Sequence, residues 1–211
     1  MKERGMIFNG EMVRAILDRR KTQVRVPVKS STSNILDLQY KNPHKKYRVG
    51  CPFGNVGDRI WVRETFQFPL CLDEVNTTGV GEMAMAAGYR KPWAPTFYNS
   101  TGTFSDRWED FETPPVVSYV GKLRPSCQMP RWASRITLEI TSVRVERLKD
   151  LSDEDAASEG VPKLEHLPYN PQDPKKARTW FRGVWSGIYG EESWSSNPWV
   201  WVIEFKVVSD E

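Results

Sequence analysis

Apolar and polar residues alternate with two different periods along the chain, and each change of period marks a predicted element. Within residues 10–18, Val13, Ile16 and Leu17 recur at helical spacing, which predicts a short amphipathic helix. From Thr22 onward the pattern becomes β-branched and alternating, which indicates an extended strand. The basic residues of segment 19–25 therefore lie at a helix-to-strand junction, where side chains can converge on a ligand.

Three more strands and two more helices are predicted downstream. Residues 59–64, 134–141 and 199–207 alternate in the manner of strands. Ser152 is expected to cap a short helix that Gly160 ends, and a second helix is expected to begin at residues 173–174. The second helix carries an apolar stripe whose tryptophans are predicted to be core residues.

The remaining stretches are less regular. Residues 27–56 are polar and interrupted by proline, which predicts a loop, and residues 66–124 are interpreted as an insertion with its own short strands. Strands at both ends of the chain, with short helices between them, favour an α+β fold built on a small, closed or nearly closed β-barrel. We expect residues 1–211 to form a single domain of this kind.

Composition restricts the class of protein. Hydrophobic residues make up 39% of the chain, which is enough for a core without disulfides or metals. The scattered Cys51, Cys71 and Cys127 favour a reducing compartment, and His44 and His166 lie in proline-flanked stretches without metal-ligand spacing. No apolar run reaches the ~18 residues of a membrane span, so we expect a cytoplasmic protein with no membrane partner. From the cysteine and histidine pattern we expect no metal, and we expect no cofactor.

The charge is segregated along the chain. Residues 1–50 contain twelve Lys and Arg against four Asp and Glu, and residues 120–149 contain seven against two. Residues 65–119 contain three against seven, and residues 150–193 contain five against nine. This segregation favours a basic face that contacts phosphates.

Four segments resemble the ASCH family, a branch of the PUA-like barrels. They are residues 16–22, 57–62, 151–160 and 201–205. The stretches Met129-Pro130-Arg131-Trp132-Ala133-Ser134-Arg135 and Asn197-Pro198-Trp199-Val200-Trp201 are similar to the longer ASCH proteins of bacteriophages and prophages. The resemblance implies a PUA-like barrel with a basic cleft for a nucleotide or RNA.

Some small bacterial ASCH proteins are amidohydrolases that remove the acetyl group from N4-acetylcytidine, using a lysine, a threonine and a glutamate. By this resemblance Lys21 falls on the lysine and Glu159 on the glutamate, which makes both candidate catalytic residues. The threonine position holds Val24 here, and Thr22 is not the matching residue. Hydrolysis would then use water activated by Glu159 or Lys21.

Binding of RNA or of a modified pyrimidine nucleoside is the first hypothesis, with DNA as another candidate partner. The proposed contacts combine phosphate-binding cations, a stacking ring and hydrogen-bonding side chains. These candidates are Arg20, Lys21, Thr22, Arg25, Arg63, Glu64, Arg131, Trp132, Ser134 and Arg135.

Several alternatives stay open at this point. The protein could be an N4-acylcytidine-type amidohydrolase, or a phage accessory module that binds another protein. In the second case the rings of the insertion form an exposed surface rather than a small core of their own. Those rings are Trp93, Phe97, Tyr98, Phe104 and Trp108. Arg63 and Glu64 could instead form a structural ion pair, and Trp132 could be a core residue.

Overall fold

The computed structural model describes residues 1–47, 49–105, 119–162 and 174–208, and in these ranges the chain forms helices and strands in a mixed α+β arrangement. The helices are α1 (Gly10–Leu17), α2 (Ser30–Lys41), α3 (Thr77–Ala86), α4 (Asp153–Ser158), α5 (Pro174–Tyr189) and α6 (Glu191–Ser196). The strands are β1 (Glu3–Ile7), β2 (Gln23–Pro27), β3 (Arg59–Arg63), β4 (Phe66–Gln67), β5 (Phe97–Tyr98), β6 (Thr103–Phe104), β7 (Thr137–Arg147) and β8 (Trp199–Val208). The predicted α+β class is confirmed.

The strands form two sheets. The larger sheet has the order β1-β3-β7-β8-β2, and the smaller has the order β4-β5-β6. Strands β2 and β8 are antiparallel, with Val24 opposite Ile203 and Arg25 opposite Val202. The larger sheet ends in β1 on one side and β2 on the other, and no closed barrel is found among the described residues.

The described residues divide into two compact units. Unit 1 comprises Met1–Lys2, Ala15–Arg59 and the described part of Glu139–Val207. Unit 2 comprises Glu3–Arg14, the described part of Ile60–Leu138, and Val208. The single domain over residues 1–211 stays a prediction, and each unit is described by itself below.

The core of unit 1 forms between β8 and α5. Val200 and Val202 are fully buried and share a cluster with Phe181 and Trp185 of the helix. The core role of Trp185 and most of the predicted apolar stripe of α5 are thus confirmed, although Ile188 at the end of the stripe is 48% exposed. The alternation of β8 predicted that only the face with Trp201 and Ile203 is buried. Val200 and Val202 on the other face are buried as well, because the α5 cluster covers them.

A hydrophobic cluster of unit 2 combines residues of the predicted insertion with Met129 and Ala133, which follow it in the sequence. Phe66, Phe68 and Tyr98 pack with Val80 and Met129, so strands β4 and β5 share one apolar cluster with α3. The predicted short strands of the insertion are present. Helix α3 was not predicted, because two glycines interrupt its apolar pattern.

Local signals around the middle helix are confirmed. The Ser152 hydroxyl accepts a hydrogen bond from the Asp155 N–H at 3.1 Å, which caps α4. Gly160 follows the helix with a φ of +103°, a backbone conformation that favours glycine. Its position leaves room for the side chain of Lys21, since a Cβ at Gly160 would lie 3.0 Å from the Lys21 Cβ.

The loop predicted for residues 27–56 is wrong in part, because α2 occupies Ser30–Lys41. The helix buries none of its twelve residues, so its sequence lacks the strong apolar stripe that identifies a core-packed helix. It is held instead by Asp37, which accepts hydrogen bonds from Arg147 and from the Trp199 indole. None of the described helices is both long enough and apolar enough to span a membrane.

Candidate functional site

The residues predicted to bind or react fall into two sets. One set belongs to unit 1 and consists of Arg20, Lys21, Thr22, Arg25 and Glu159. The other belongs to unit 2 and consists of Arg63, Glu64, Arg131, Trp132, Ser134 and Arg135. Trp108 and His166, which the sequence also singles out, lie outside the described residues.

Lys21 and Glu159 meet in unit 1. Lys21 precedes β2, Glu159 follows α4, and the two residues form an isolated antiparallel β-bridge. The Lys21 Nζ donates to Glu159 Oε2 at 2.6 Å and to the Glu159 carbonyl oxygen at 3.1 Å. The exposed fractions of the two side chains are only 1% and 3%, so the contact is a buried ion pair.

Arg25 occupies the second oxygen of the same carboxylate. Its Nη1 donates to Glu159 Oε1 at 3.0 Å, while Nη2 donates to Glu146 Oε1 at 2.7 Å and to Asp155 Oδ2 at 2.9 Å. The guanidinium is completely buried, and its Nε has no hydrogen-bond partner. Three carboxylates therefore surround Arg25, which is one of the cations that the sequence predicted to contact phosphate.

Arg144 extends this ion network. It donates to Glu146 at 3.1 Å and to Asp155 at 2.7 Å, and it also contacts Glu204. Burial alone would raise the pKa of Asp155, but the hydrogen bond from Arg144 and the positive charges of Arg25 and Arg144 hold that pKa below its ordinary value. Asp155 is therefore ionised at neutral pH and contributes to the charge balance of the network.

The remaining predicted residues of unit 1 lie beside the network. Arg20 donates from Nη1 to the carbonyl oxygens of Gly160 and Val161 at 2.9 and 3.1 Å, and from Nη2 to Asp18 at 3.0 Å. Thr22 is exposed, whereas Val24 is buried in β2. Val24 has no hydroxyl, and the exposed Thr22 does not place its own hydroxyl in the buried position of Val24.

In unit 2 the buried Glu64 pairs with Arg135. Arg135 donates from Nε to Glu64 Oε1 at 2.9 Å and from Nη2 to Glu64 Oε2 at 3.1 Å, and Nη2 also contacts the Ser100 hydroxyl at 3.0 Å. The Ser100 hydroxyl donates to Glu64 as well. Arg63 donates to the carbonyl oxygen of Cys127, and no ion pair between Arg63 and Glu64 is found among the described contacts.

Arg131 and Ser134 are held by unit 2 in different ways. Arg131 donates from Nε to Glu3 Oε2 at 3.0 Å, and both side chains of this ion pair are about one-third exposed. The buried Ser134 hydroxyl donates to the Val62 carbonyl oxygen at 2.8 Å. Arg131 therefore lies at the surface, whereas Ser134 is fixed within the unit.

A cavity of about 590 Å³ opens in unit 2 and brings three of the predicted residues together. Trp132, Ser134 and Arg135 form one part of its lining, and most of the other lining residues belong to the segment 89–98. The full lining is Tyr89, Arg90, Lys91, Pro92, Trp93, Ala94, Thr96, Tyr98, Ser105, Trp132, Ala133, Ser134 and Arg135. Its volume is within the range of small-molecule sites, which are roughly 300–1,000 Å³.

Aromatic rings form much of the cavity lining. Tyr89 and Trp93 stack on each other with ring centroids 5.7 Å apart, and Trp132 stacks on Phe68 at 5.6 Å. The Arg135 guanidinium lies 4.0 Å from the centroid of the Tyr98 ring, and the Tyr98 hydroxyl donates to Ala133 at 3.0 Å. These contacts fix the rings before any ligand binds.

The charge of the cavity lining is positive. Arg90, Lys91 and Arg135 line it, and none of its described lining residues has a carboxylate. Arg90 is exposed and makes no hydrogen bond or ion pair within the described ranges. Arg135 uses Nε and Nη2 for Glu64 and Ser100, so Nη1 is the guanidinium nitrogen that remains for a ligand.

Sequence reasoning missed one wall of this cavity. It treated Trp93 and Tyr98 as an insertion core or protein-interaction surface and did not single out Tyr89, Arg90 or Lys91. The signal was present in the stretch Tyr89-Arg90-Lys91-Pro92-Trp93, where two rings flank two cations. This pattern of rings and cations is typical of nucleic-acid contacts.

No group of three or more metal-ligating side chains occurs among the described residues. Among the described residues, Cys51, Cys71 and Cys127 form no disulfide.

Comparison with known proteins yields one solved structure. No protein-family model and no curated protein matches the chain. The chain is similar to a crystal structure of an ASCH domain from Lactobacillus crispatus JV V101, with 12% sequence identity and a TM-score of 0.35. The match covers 98% of this chain and 79% of that one. A likeness at this level does not identify the residues or the ligand of the site.

Proposed function

We propose that this protein binds a nucleotide or a nucleic acid, and that the cavity of unit 2 takes a base together with its phosphate. The observation that carries the proposal is the coincidence of four aromatic side chains and three cations in one cavity. The described lining offers no carboxylate to repel a phosphate. The sequence resemblance to the PUA-like ASCH family points to the same class of ligand.

The rings supply the contact for the base. Base–aromatic stacking is worth about 1–3 kcal/mol per base and tolerates any base, because every base has a π-face. The Tyr89–Trp93 pair is preformed at a centroid distance of 5.7 Å, so little side-chain entropy is lost when a ligand stacks on it. Trp132, the ring that the sequence predicted to stack, lines the same cavity.

The cations supply the contact for the phosphate. Arg135 is held rigidly by the bidentate pair with Glu64, whereas Arg90 is exposed and can adjust to the ligand. The guanidinium of Arg90 can match phosphate geometry with two parallel N–H donors, whereas Arg135 offers Nη1 alone. We assign phosphate binding to these residues rather than to Arg25, whose guanidinium already contacts three carboxylates.

Titration with AMP, CMP, GMP and UMP, followed by tryptophan fluorescence and calorimetry, tests the proposal. We expect Trp93→Ala to weaken binding about five- to hundred-fold through lost stacking, and Arg90→Ala to weaken it about tenfold through one lost charge-assisted contact. Arg182→Ala removes an exposed arginine of unit 1 and is the matched control. Failure of folded wild-type protein to bind any of the four nucleotides would contradict the proposal.

A second candidate function is hydrolysis of an N4-acetylcytidine-like amide by Lys21 and Glu159. The specific observation that favours it is the 2.6 Å contact between the two side chains. Both oxygens of Glu159 are occupied, so a substrate would have to displace Lys21 or Arg25 before either could activate water. Release of cytidine from N4-acetylcytidine, lost in Lys21→Ala and in Glu159→Ala, is the expected result if this function holds.

A further inference from the structure

The segment of unit 1 between residues 19 and 57 is almost free of acidic residues. It contains nine Lys and Arg and a single acidic residue, Asp37. The Asp37 carboxylate accepts hydrogen bonds from Arg147 and from the Trp199 indole at 2.8 Å. The one negative charge of the segment is therefore already neutralised by a residue from outside it.

Helix α2, in the middle of this segment, has exposed residues along its whole length and only half-buried residues on its other side. None of its residues from Ser30 to Lys41 is buried, although a helix of a globular protein ordinarily buries one face. Asp37 anchors the helix, and the Tyr40 ring meets the Trp199 ring edge-on at 6.3 Å. The helix is thus fixed in place while its outer surface remains open to solvent.

The end of α2 and the turn after it combine rings with cations. Tyr40 is 75% exposed, Tyr47 is 38% exposed, and the three lysines between them are also exposed. These residues, Tyr40, Lys41, Lys45, Lys46 and Tyr47, are called the lysine–tyrosine surface below. The turn is ordered by the Asn42 side-chain amide, which donates to the Leu38 carbonyl oxygen at 3.0 Å.

We propose that the lysine–tyrosine surface binds single-stranded nucleic acid, with the lysines on successive phosphates and Tyr40 stacked on an unpaired base. The inference rests on the proposed function for its class of ligand and extends that ligand from a nucleotide to a strand. Charge complementarity selects a polyanion as the occupant. The exposed Tyr40 ring selects a single strand, because paired bases hide the faces on which a ring stacks.

Fluorescence anisotropy with labelled 20-nucleotide oligo(U), oligo(dT) and a duplex of mixed sequence tests the lysines. We expect the wild-type protein to bind the single strands more tightly than the duplex, and the two single-stranded probes distinguish RNA from DNA as the source. In the triple variant Lys41→Ala, Lys45→Ala, Lys46→Ala, the negative slope of log K against log salt should become smaller in magnitude by about 2, since each lost phosphate contact removes roughly 0.7. The triple Lys→Arg variant keeps the charges and should keep the slope.

Tyr40→Ala tests the ring. We expect single-strand affinity to fall about five- to hundred-fold, the scale of one lost base stack. Tyr119→Ala is the matched control, because Tyr119 is 72% exposed but belongs to unit 2. An equal effect of both tyrosine variants, or equal affinity of wild-type protein for duplex and single strand, would overturn the inference.

The inference and the proposed function can fail separately in these experiments. If AMP binding depends on Arg90 but the lysine triple variant binds oligo(U) as tightly as wild type, with the same salt dependence, only the inference is contradicted. A protein whose oligo(U) affinity depends on the lysines and Tyr40, but which binds no mononucleotide, would retain the strand surface and contradict the cavity proposal.

Discussion

The buried cations of unit 1 and the cavity cations of unit 2 use the same types of side chain for opposite purposes. In unit 1, the side chains of Lys21 and Arg25 are 1% and 0% exposed, and both donate hydrogen bonds to buried or half-buried carboxylates. In unit 2, the Arg135 side chain is 20% exposed and has one carboxylate partner, Glu64. Glu64 accepts from Nε and Nη2, and Nη1 has no acceptor among the described residues. Arg90, in the same cavity lining, is exposed and has no partner in the described part of the chain.

This difference shows that the partners of a cation, rather than its presence, decide whether it can bind phosphate. A guanidinium that is completely buried among three carboxylates is not accessible to an anion, and freeing it would leave those carboxylates uncompensated. A partly exposed guanidinium fixed by one carboxylate is rigid and still able to donate. We therefore expect the unit 1 network to contribute mainly stability and the unit 2 cavity mainly binding.

The largest effect is expected from Arg25→Met. This substitution removes the cation that Glu146, Asp155 and Glu159 share. Breaking a buried ion pair in this way lowers the free energy of unfolding by about 3–5 kcal/mol. Urea unfolding followed by circular dichroism measures the loss. Arg25→Lys keeps one positive charge and should show an intermediate loss.

The same variants sharpen the comparison if their nucleotide affinity is measured under folding conditions. We expect AMP affinity to stay unchanged in Arg25→Lys, because the account places no ligand on this residue. Unchanged stability together with a loss of affinity would instead make Arg25 a phosphate contact, as the sequence predicted, and would reverse the roles of the two regions.

A smaller effect is expected from acid, through Asp155. Its pKa in the folded protein lies below the value of about 3.9 typical of an unfolded chain, so the folded state binds fewer protons than the unfolded state. The stability that Asp155 contributes is therefore complete above about pH 5 and is lost as the pH falls through the folded pKa. Thermal unfolding of wild-type protein between pH 6 and pH 3 should show this loss.

Asp155→Asn is the matching variant for the acid effect. It should be less stable than wild type at pH 6 by about 1–2 kcal/mol, the scale of a hydrogen bond to a charged group, and the difference should narrow toward pH 3. A difference that is constant across this range would show that the carboxylate charge of Asp155 does not stabilise the network.

The smallest effect is expected from Arg131→Ala. The side chains of Arg131 and Glu3 are each 36% exposed, and ion pairs at such positions contribute about 0–1 kcal/mol. Arg131 does not line the cavity, so AMP affinity should also stay within about twofold of wild type. A larger loss of affinity would extend the phosphate contacts beyond the cavity, along the basic track that the sequence predicted.

Local elements could be read from the sequence, because their signals are local. Helix α1, the Ser152 cap and the stripe of α5 all follow from spacing within one or two turns. Helix α2 could not be read in this way, because it has no buried face and its anchor, Asp37, binds residues far along the chain.

The candidate site was predictable only in part, and the reason is again the distance along the chain. The family resemblance matched Lys21 and Glu159 to one site, and these two side chains do meet. Trp132, Ser134 and Arg135 are neighbours in one stretch with a ring among cations, and all three line the cavity. Charge counts along the chain could not show that Arg25 is covered by Glu146 and Asp155, which lie 121 and 130 residues away. Tertiary pairing of this kind decides which cations remain available.

Amide hydrogen exchange, followed by mass spectrometry with and without saturating AMP, tests most directly whether the unit 2 cavity is the binding site. The account predicts slower exchange in peptides that cover residues 89–98 and 130–135, and unchanged exchange in peptides that cover residues 19–27 and 155–161. Protection confined to the second pair of peptides would contradict the account and place the ligand at Lys21 and Glu159.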